Sequence, residues 1–163
     1  MHSPTFSRKT VEEAFAADGV FHLRASGFSM LPSIQPGSLL LISPLPGPPR
    51  PGDVVLAHPS DTLWLCHRVL RIMPDGGIIT KGDGNPGADA PIQQHHIVGH
   101  VTAMYRPDGC YVDFSRAPQR VLAALIVPLE TRLPGTLRTV GHCVRSGRRL
   151  ARPWYNRVRR WLP

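Results

Sequence analysis

Cysteine is scarce in this chain: Cys66, Cys110 and Cys143 are the only three in 163 residues. An odd number without close spacing excludes a disulfide framework and a cysteine-based zinc motif as organising devices, and fits thiols that stay reduced. Long apolar runs are lacking at the N-terminus, where Met1 to Thr10 is polar and carries Arg8 and Lys9. No signal peptide or membrane span is therefore expected there, and a cytoplasmic protein is the expectation. Acidic residues are absent from residues 131–163, which hold nine arginines, whereas residues 1–130 carry ten basic residues against eleven acids. The net charge of +8 thus resides in the tail, and partners that respond to charge must be sought there.

What is abundant is proline and glycine, at 18 and 15 residues. That favours many turns and short strands over long helices. With 42% hydrophobic and 18% charged residues, the length suits one domain with a real core. The expected fold is mainly β, as one catalytic domain over residues 1–115 followed by a basic, helical tail over residues 116–163.

Three segments carry the chemistry. In Ala25-Ser26-Gly27-Phe28-Ser29-Met30-Leu31-Pro32 a serine hydroxyl sits on a constrained turn between two short apolar runs, which makes Ser29 the candidate nucleophile. A Gly-x-Ser turn also occurs for purely structural reasons, so the other two segments matter. Leu63-Trp64-Leu65-Cys66-His67-Arg68-Val69-Leu70 reads as a strand, and Thr80-Lys81-Gly82-Asp83-Gly84-Asn85-Pro86-Gly87-Ala88-Asp89 as a strand end and acidic loop.

Ser-Met-x-Pro, then His-Arg-Val, then Lys-Gly-Asp-x-Asn-x-x-x-Asp resembles the type I signal peptidases. More narrowly it is similar to their archaeal and endoplasmic-reticulum branch, in which histidine replaces the lysine base. The motifs follow the family's order across residues 25 to 106. The resemblance implies a signal-peptidase or SOS-repressor-cleavage-domain β-fold, with Ser29 as nucleophile, His67 as base, Asp89 as the acid of the triad and Asp83 as a supporting acid. The residues alone do not separate Asp83 from Asp89. The family's usual N-terminal membrane anchor has no counterpart in the expected elements.

Along the chain, Thr10-Val11-Glu12-Glu13 is a capping-box pattern opening a short helix, with Val11, Ala14, Phe15 and Ala17 as its apolar face and Asp18-Gly19 as its end. Val20 to Ala25 alternates like a strand, with His22 a half-exposed member. Leu39 to Ile42 is a continuous apolar run, read as a strand buried on both faces. Residues 44–51 hold five prolines and read as a stiff connector. Gly52 to Ala57 is the next strand.

Thr62 to Ile72 is the longest strand candidate. Strict alternation puts Leu63, Leu65, His67, Val69 and Arg71 on one face and Cys66 on the other, so Cys66 is not expected to be the nucleophile. A histidine on a mainly apolar face suits a base that must stay neutral near pH 7. Pro74-Asp75-Gly76-Gly77 reads as a hairpin turn, and the return strand Ile78 to Lys81 brings Asp83 and Asp89 back toward His67. His95, His96 and His100 have no cysteine or acid at a matching spacing, so neither a metal nor a cofactor is expected. Ile97 to Tyr105 and Tyr111 to Phe114 are the last strands.

In the tail, Arg116 to Val127 and Pro153 to Leu162 read as helices. Leu150, Trp154, Val158 and Trp161 share one side of the second, with arginines largely elsewhere. Residues 148–162 could lie at an anionic membrane surface or pack on the core, and the sequence favours neither. Nucleic-acid binding is the weaker reading, because no DNA-binding helix pair precedes the core. The expected activity is that of a serine endopeptidase cleaving a leader or signal-like segment from a precursor after small residues, in the cytoplasm or peripheral to the inner membrane surface. Two other readings stand beside it: self-processing, as in SOS-response repressor cleavage domains, for which Ala14-Phe15-Ala16-Ala17 offers an Ala-x-Ala sequence; and a non-catalytic peptide-binding or membrane-docking module on the same fold.

Overall fold

The structure, a computed structural model, describes residues 6–115. The expected boundary at residue 116, the two tail helices and the membrane-facing stretch lie outside the described residues. Within them one helix, α1 (Arg8–Asp18), precedes seven strands: β1 (Phe21–Arg24), β2 (Leu39–Ser43), β3 (Val54–Ser60), β4 (Leu63–Ile72), β5 (Ile78–Lys81), β6 (Ile97–Tyr105) and β7 (Tyr111–Asp113). The fold is mainly β. No helix among the described residues is long and apolar enough to cross a membrane.

The helix starts one turn before the expected capping box. Ser7 is the N-cap, in extended conformation, and its hydroxyl accepts the Thr10 N–H at 3.2 Å. Arg8 and Glu12, and Lys9 and Glu13, then pair across one turn at 3.0 and 3.7 Å, and the helix is already under way at Thr10. Val11 is fully buried and Ala14 and Phe15 are half-buried, while Ala17 faces solvent. Gly19 closes the helix in left-handed conformation, its N–H donating to the Phe15 carbonyl at 3.0 Å.

All strand pairs are antiparallel, in the order β1-β2-β6-β3-β4-β5, with β7 continuing beside the C-terminal half of β6. Two apolar clusters pack on the sheet. Met30, Ile34, Leu40, Ile42, Val54, Leu56, Val101 and Met104 form one; Val55, Ala57, Val69, Ile78, Ile92 and Ile97 form the other. Consecutive residues of β3 enter opposite clusters, as period-two alternation requires, so this central strand is buried on both sides. The run Leu39 to Ile42 behaves similarly except at Leu41, which is half-buried.

Alternation in β4 holds through Val69 and then breaks. Val69 pairs with Thr80 and Arg71 with Ile79, so β4 carries one residue more than β5 at Leu70, a β-bulge. Val69 and Leu70 are both buried and Arg71 is exposed, which corrects the expectation that Val69 and Arg71 share a face.

A buried ion pair ties this hairpin to the loop that follows it. Arg68 Nε donates to Asp83 Oδ1 at 2.8 Å and Nη2 to Asp83 Oδ2 at 2.7 Å, with the two side chains 3% and 4% exposed. Arg68 also donates to the Gly52 carbonyl at 2.9 Å and the Ser33 hydroxyl at 3.4 Å. Removing one partner leaves the other charge buried without compensation. Asp83→Ala is therefore expected to destabilise by about 3–5 kcal/mol, measured as a lower urea midpoint, whereas removing the exposed Arg8–Glu12 pair costs under about 1 kcal/mol; similar small effects for both would contradict this.

Candidate active site

Ser29 stands on a turn held at both ends. On the entry side Ala25 exchanges backbone bonds with Ser38 and Gly37, at 2.8 and 2.6 Å. On the exit side the Ile34 N–H donates to the Met30 carbonyl at 2.9 Å, and Met30 and Ile34 are buried in the first apolar cluster. The apolar neighbours that follow Ser29 anchor the turn, and the hydroxyl is left half-buried at its edge.

The acidic loop closes against the other side of that turn. The Gly84 N–H donates to the Ser29 carbonyl at 2.8 Å. A Cβ on Gly82 would fall 2.6 Å from the Ser29 carbonyl oxygen and 2.9 Å from Ser29 Cβ, and one on Gly84 would fall 3.0 Å from the Leu31 carbonyl oxygen. Gly82 is required because the two backbones touch there, and at Gly84 a side chain fits only if the Leu31 carbonyl gives way. Gly82→Ala must therefore displace Ser29 or the loop.

His67 lies in the middle of β4, opposite Val55 of β3, with a side chain 12% exposed. Its Nε2 is 3.0 Å from Ser29 Oγ and its Nδ1 2.6 Å from Asp89 Oδ2. The hairpin brings these groups together: Asp89 follows β5, and its N–H donates to the Thr80 carbonyl at 2.8 Å. Asp83 does not join this chain, since both of its oxygens are bonded to Arg68. Asp83 instead fixes the loop on which Gly82 and Gly84 meet Ser29.

The proton positions follow from the chemistry of the groups. Burial acts to raise the Asp89 carboxyl, but hydrogen bonds from His67 and Thr80, with the His67 charge, hold it below the usual carboxylate range. An ionised carboxylate only accepts, so His67 Nδ1 is the donor. In the neutral ring Nε2 is then the acceptor, and Ser29 Oγ–H donates to it. A serine donating to a neutral imidazole that is oriented by a carboxylate can transfer its proton as it attacks an electrophile.

Cys66 is a poor competitor. Burial, with the neighbouring Asp83 charge, pushes its thiol up to about 12, against the lowering effect of Arg68. His22 is exposed on β1, and His95 and His96 occupy a single 3₁₀ turn, Gln94–His96. Among the described residues no group of three or more histidine, cysteine, aspartate or glutamate side chains is arranged to hold a metal.

Sequence reasoning missed Thr80. Its hydroxyl donates to Asp89 Oδ2 at 2.7 Å, and the residue is completely buried. The register that sets Thr80 opposite Val69, two residues from His67 on the same face, depends on the Leu70 bulge, for which the sequence carries no signal. The proline-rich connector also does more than connect: Leu45, Pro48 and Pro49 line a groove of about 340 Å³ with Gln94, Ile97 and Val98, and Leu45 packs on the same cluster as Leu65.

The depressed Asp89 carboxyl gives a pH prediction with a definite sign. Its contribution to stability is fully present above the ordinary aspartate value of about 3.9 and is lost as pH falls through its lower folded-state value. Urea midpoints between pH 6 and pH 2 should decline over that window, and Asp89→Asn should flatten part of the decline. An identical pH profile for the variant would contradict it.

A model of the family described as Peptidase S24-like matches residues 4–102, a span that includes Ser29, His67, Asp83 and Asp89. No curated protein and no solved structure matches the chain. On the extent of that match, and with a mainly β fold consistent with it, the chain belongs to the Peptidase S24-like family, a family of serine peptidases and self-cleaving domains.

Proposed function

We propose that the protein is a serine endopeptidase in which Ser29 is the nucleophile, His67 the general base and Asp89 the group that orients His67. The observation that carries this reading is the continuous hydrogen-bonded chain from Ser29 Oγ through His67 to Asp89 Oδ2, at 3.0 and 2.6 Å. Ser29 Oγ attacks the carbonyl carbon of the scissile peptide while His67 Nε2 takes its proton. Collapse of the tetrahedral adduct breaks the C–N bond, and His67 returns the proton to the leaving amine. Water, deprotonated by the same nitrogen, then hydrolyses the acyl-serine.

Charge on the carbonyl oxygen needs a donor. The backbone N–H of Ser29 has no acceptor among the described residues and serves that role. Gly27 lacks the second hydroxyl that some signal peptidases carry at this position, so the site relies on backbone donors. One such donor is worth about 2.7–4 kcal/mol in the transition state.

The substrate class comes from the resemblance to the signal peptidases: an extended precursor segment with small residues before the cut, released as a leader or signal-like peptide. The family is equally compatible with self-processing. Ala14-Phe15-Ala16-Ala17 lies within α1, so cleavage there requires the helix to unwind and reach Ser29. An unchanged mass after long incubation of the purified protein would remove that reading.

The test is cleavage of a peptide library by the wild-type protein, Ser29→Ala and His67→Ala. Cleavage after small residues is expected for the wild type, falling by about 10⁴-fold or more in each variant. Cutting that survives in Ser29→Ala would overturn the assignment. Peptide binding without cutting by any form would favour a binding module on this fold.

A further inference from the structure

We infer that Thr80 is a positioning residue of the site, acting through Asp89: its hydroxyl fixes which carboxylate oxygen, and in which plane, faces His67. The inference rests on the serine–histidine reading above and extends it to a residue that does not touch substrate.

All hydrogen bonds to the Asp89 carboxylate from described side chains fall on one oxygen. Oδ2 accepts from Thr80 Oγ1 at 2.7 Å and from His67 Nδ1 at 2.6 Å. A carboxylate has two equivalent oxygens and turns readily about its Cβ–Cγ bond. With His67 as its only partner, Asp89 could present either oxygen, or tilt while keeping one weaker bond. The second donor removes that freedom, because rotation would break two charge-assisted bonds at once.

Water cannot take over from Thr80. The Asp89 side chain is 21% exposed, so solvent reaches one side of the carboxylate. Thr80 is 0% exposed and approaches from the interior, where a missing donor stays missing.

The same residue holds Asp89 a second time. The Thr80 carbonyl accepts the Asp89 N–H at 2.8 Å, so backbone and side chain of the loop residue are gripped by one position of β5. Because Thr80 pairs with Val69 on the strand that carries His67, the grip is referenced to the base itself. A substitution that removes only the hydroxyl keeps the backbone bond and the strand, and so isolates the proposed role.

A buried hydroxyl needs a partner in any case, and a merely structural Thr80 would find it in Asp89 as well. The experiment must read the His67–Asp89 bond directly. In the full-length protein, the His67 Nδ1 proton in a bond this short is strongly deshielded and slow to exchange, so it is observable by proton NMR without any substrate.

Thr80→Val is expected to move that resonance upfield or lose it to exchange, and to lower kcat about ten- to hundredfold with KM changed less than about twofold. Thr80→Ser, which restores the donor, is expected to return both. Retention of the wild-type resonance by Thr80→Val would overturn the inference. So would a loss shared equally by Thr80→Val and Thr80→Ser, since a role in packing predicts that pattern. Should the wild type cut no peptide, the peptidase reading fails, and the resonance still decides whether Thr80 places Asp89 against His67.

Discussion

Arg68 and Asp83 form a two-bonded ion pair almost wholly withdrawn from water, and the geometry of the site depends on it. Arg68 belongs to the strand that carries His67, and Asp83 to the loop that packs beneath Ser29. Arg68 further reaches Gly52, in the turn just before β3, and Ser33 beyond the Ser29 turn. Three segments distant in sequence are thus fixed to one guanidinium. Buried ion pairs contribute little net stability when compared with apolar packing. The value of this one lies in its directions, since a planar fork with fixed donors sets the relative placement of strand, loop and turn.

On that frame the site assigns different environments to two carboxylates six residues apart in sequence. Asp83 is neutralised by a permanent cation, and both of its oxygens are directed at Arg68, on the side of the strand away from the imidazole. Asp89 accepts instead from the Thr80 hydroxyl and the His67 ring, and is partly open to water. In the proposed reaction it is a carboxylate of the second kind, not already paired with an arginine, that stabilises positive charge on His67. The glycines at 82 and 84 let the loop's backbone lie against that of Ser29, so Ser29 is positioned by main-chain contact as well as by its own turn.

Much of this was legible in the residues, for reasons that can be named. Strand alternation put His67 opposite Cys66 in facing, and the Pro74–Gly77 turn forced the acidic loop back toward β4. The helix is capped at Ser7 rather than Thr10: a Ser7 cap and a Thr10 cap look alike in sequence, and in the fold it is the Ser7 hydroxyl that accepts the Thr10 N–H. The Leu70 bulge left no trace, since Val69-Leu70 reads as an ordinary apolar strand pair. The separation of Asp83 from Asp89 came from resemblance alone. Physically it follows from Arg68, a buried cation one residue from His67 and therefore pointing to the opposite side of the strand.

The most direct measurement of the central claim is covalent trapping of the nucleophile. An activated fluorophosphonate reacts with a serine only when an adjacent base removes its proton, and it requires no knowledge of the natural substrate. Incubation of the full-length protein followed by peptide mass mapping is expected to place a single adduct on Ser29, with labelling lost in His67→Ala. An adduct on another residue, or labelling of Ser29 that persists without His67, would contradict the account.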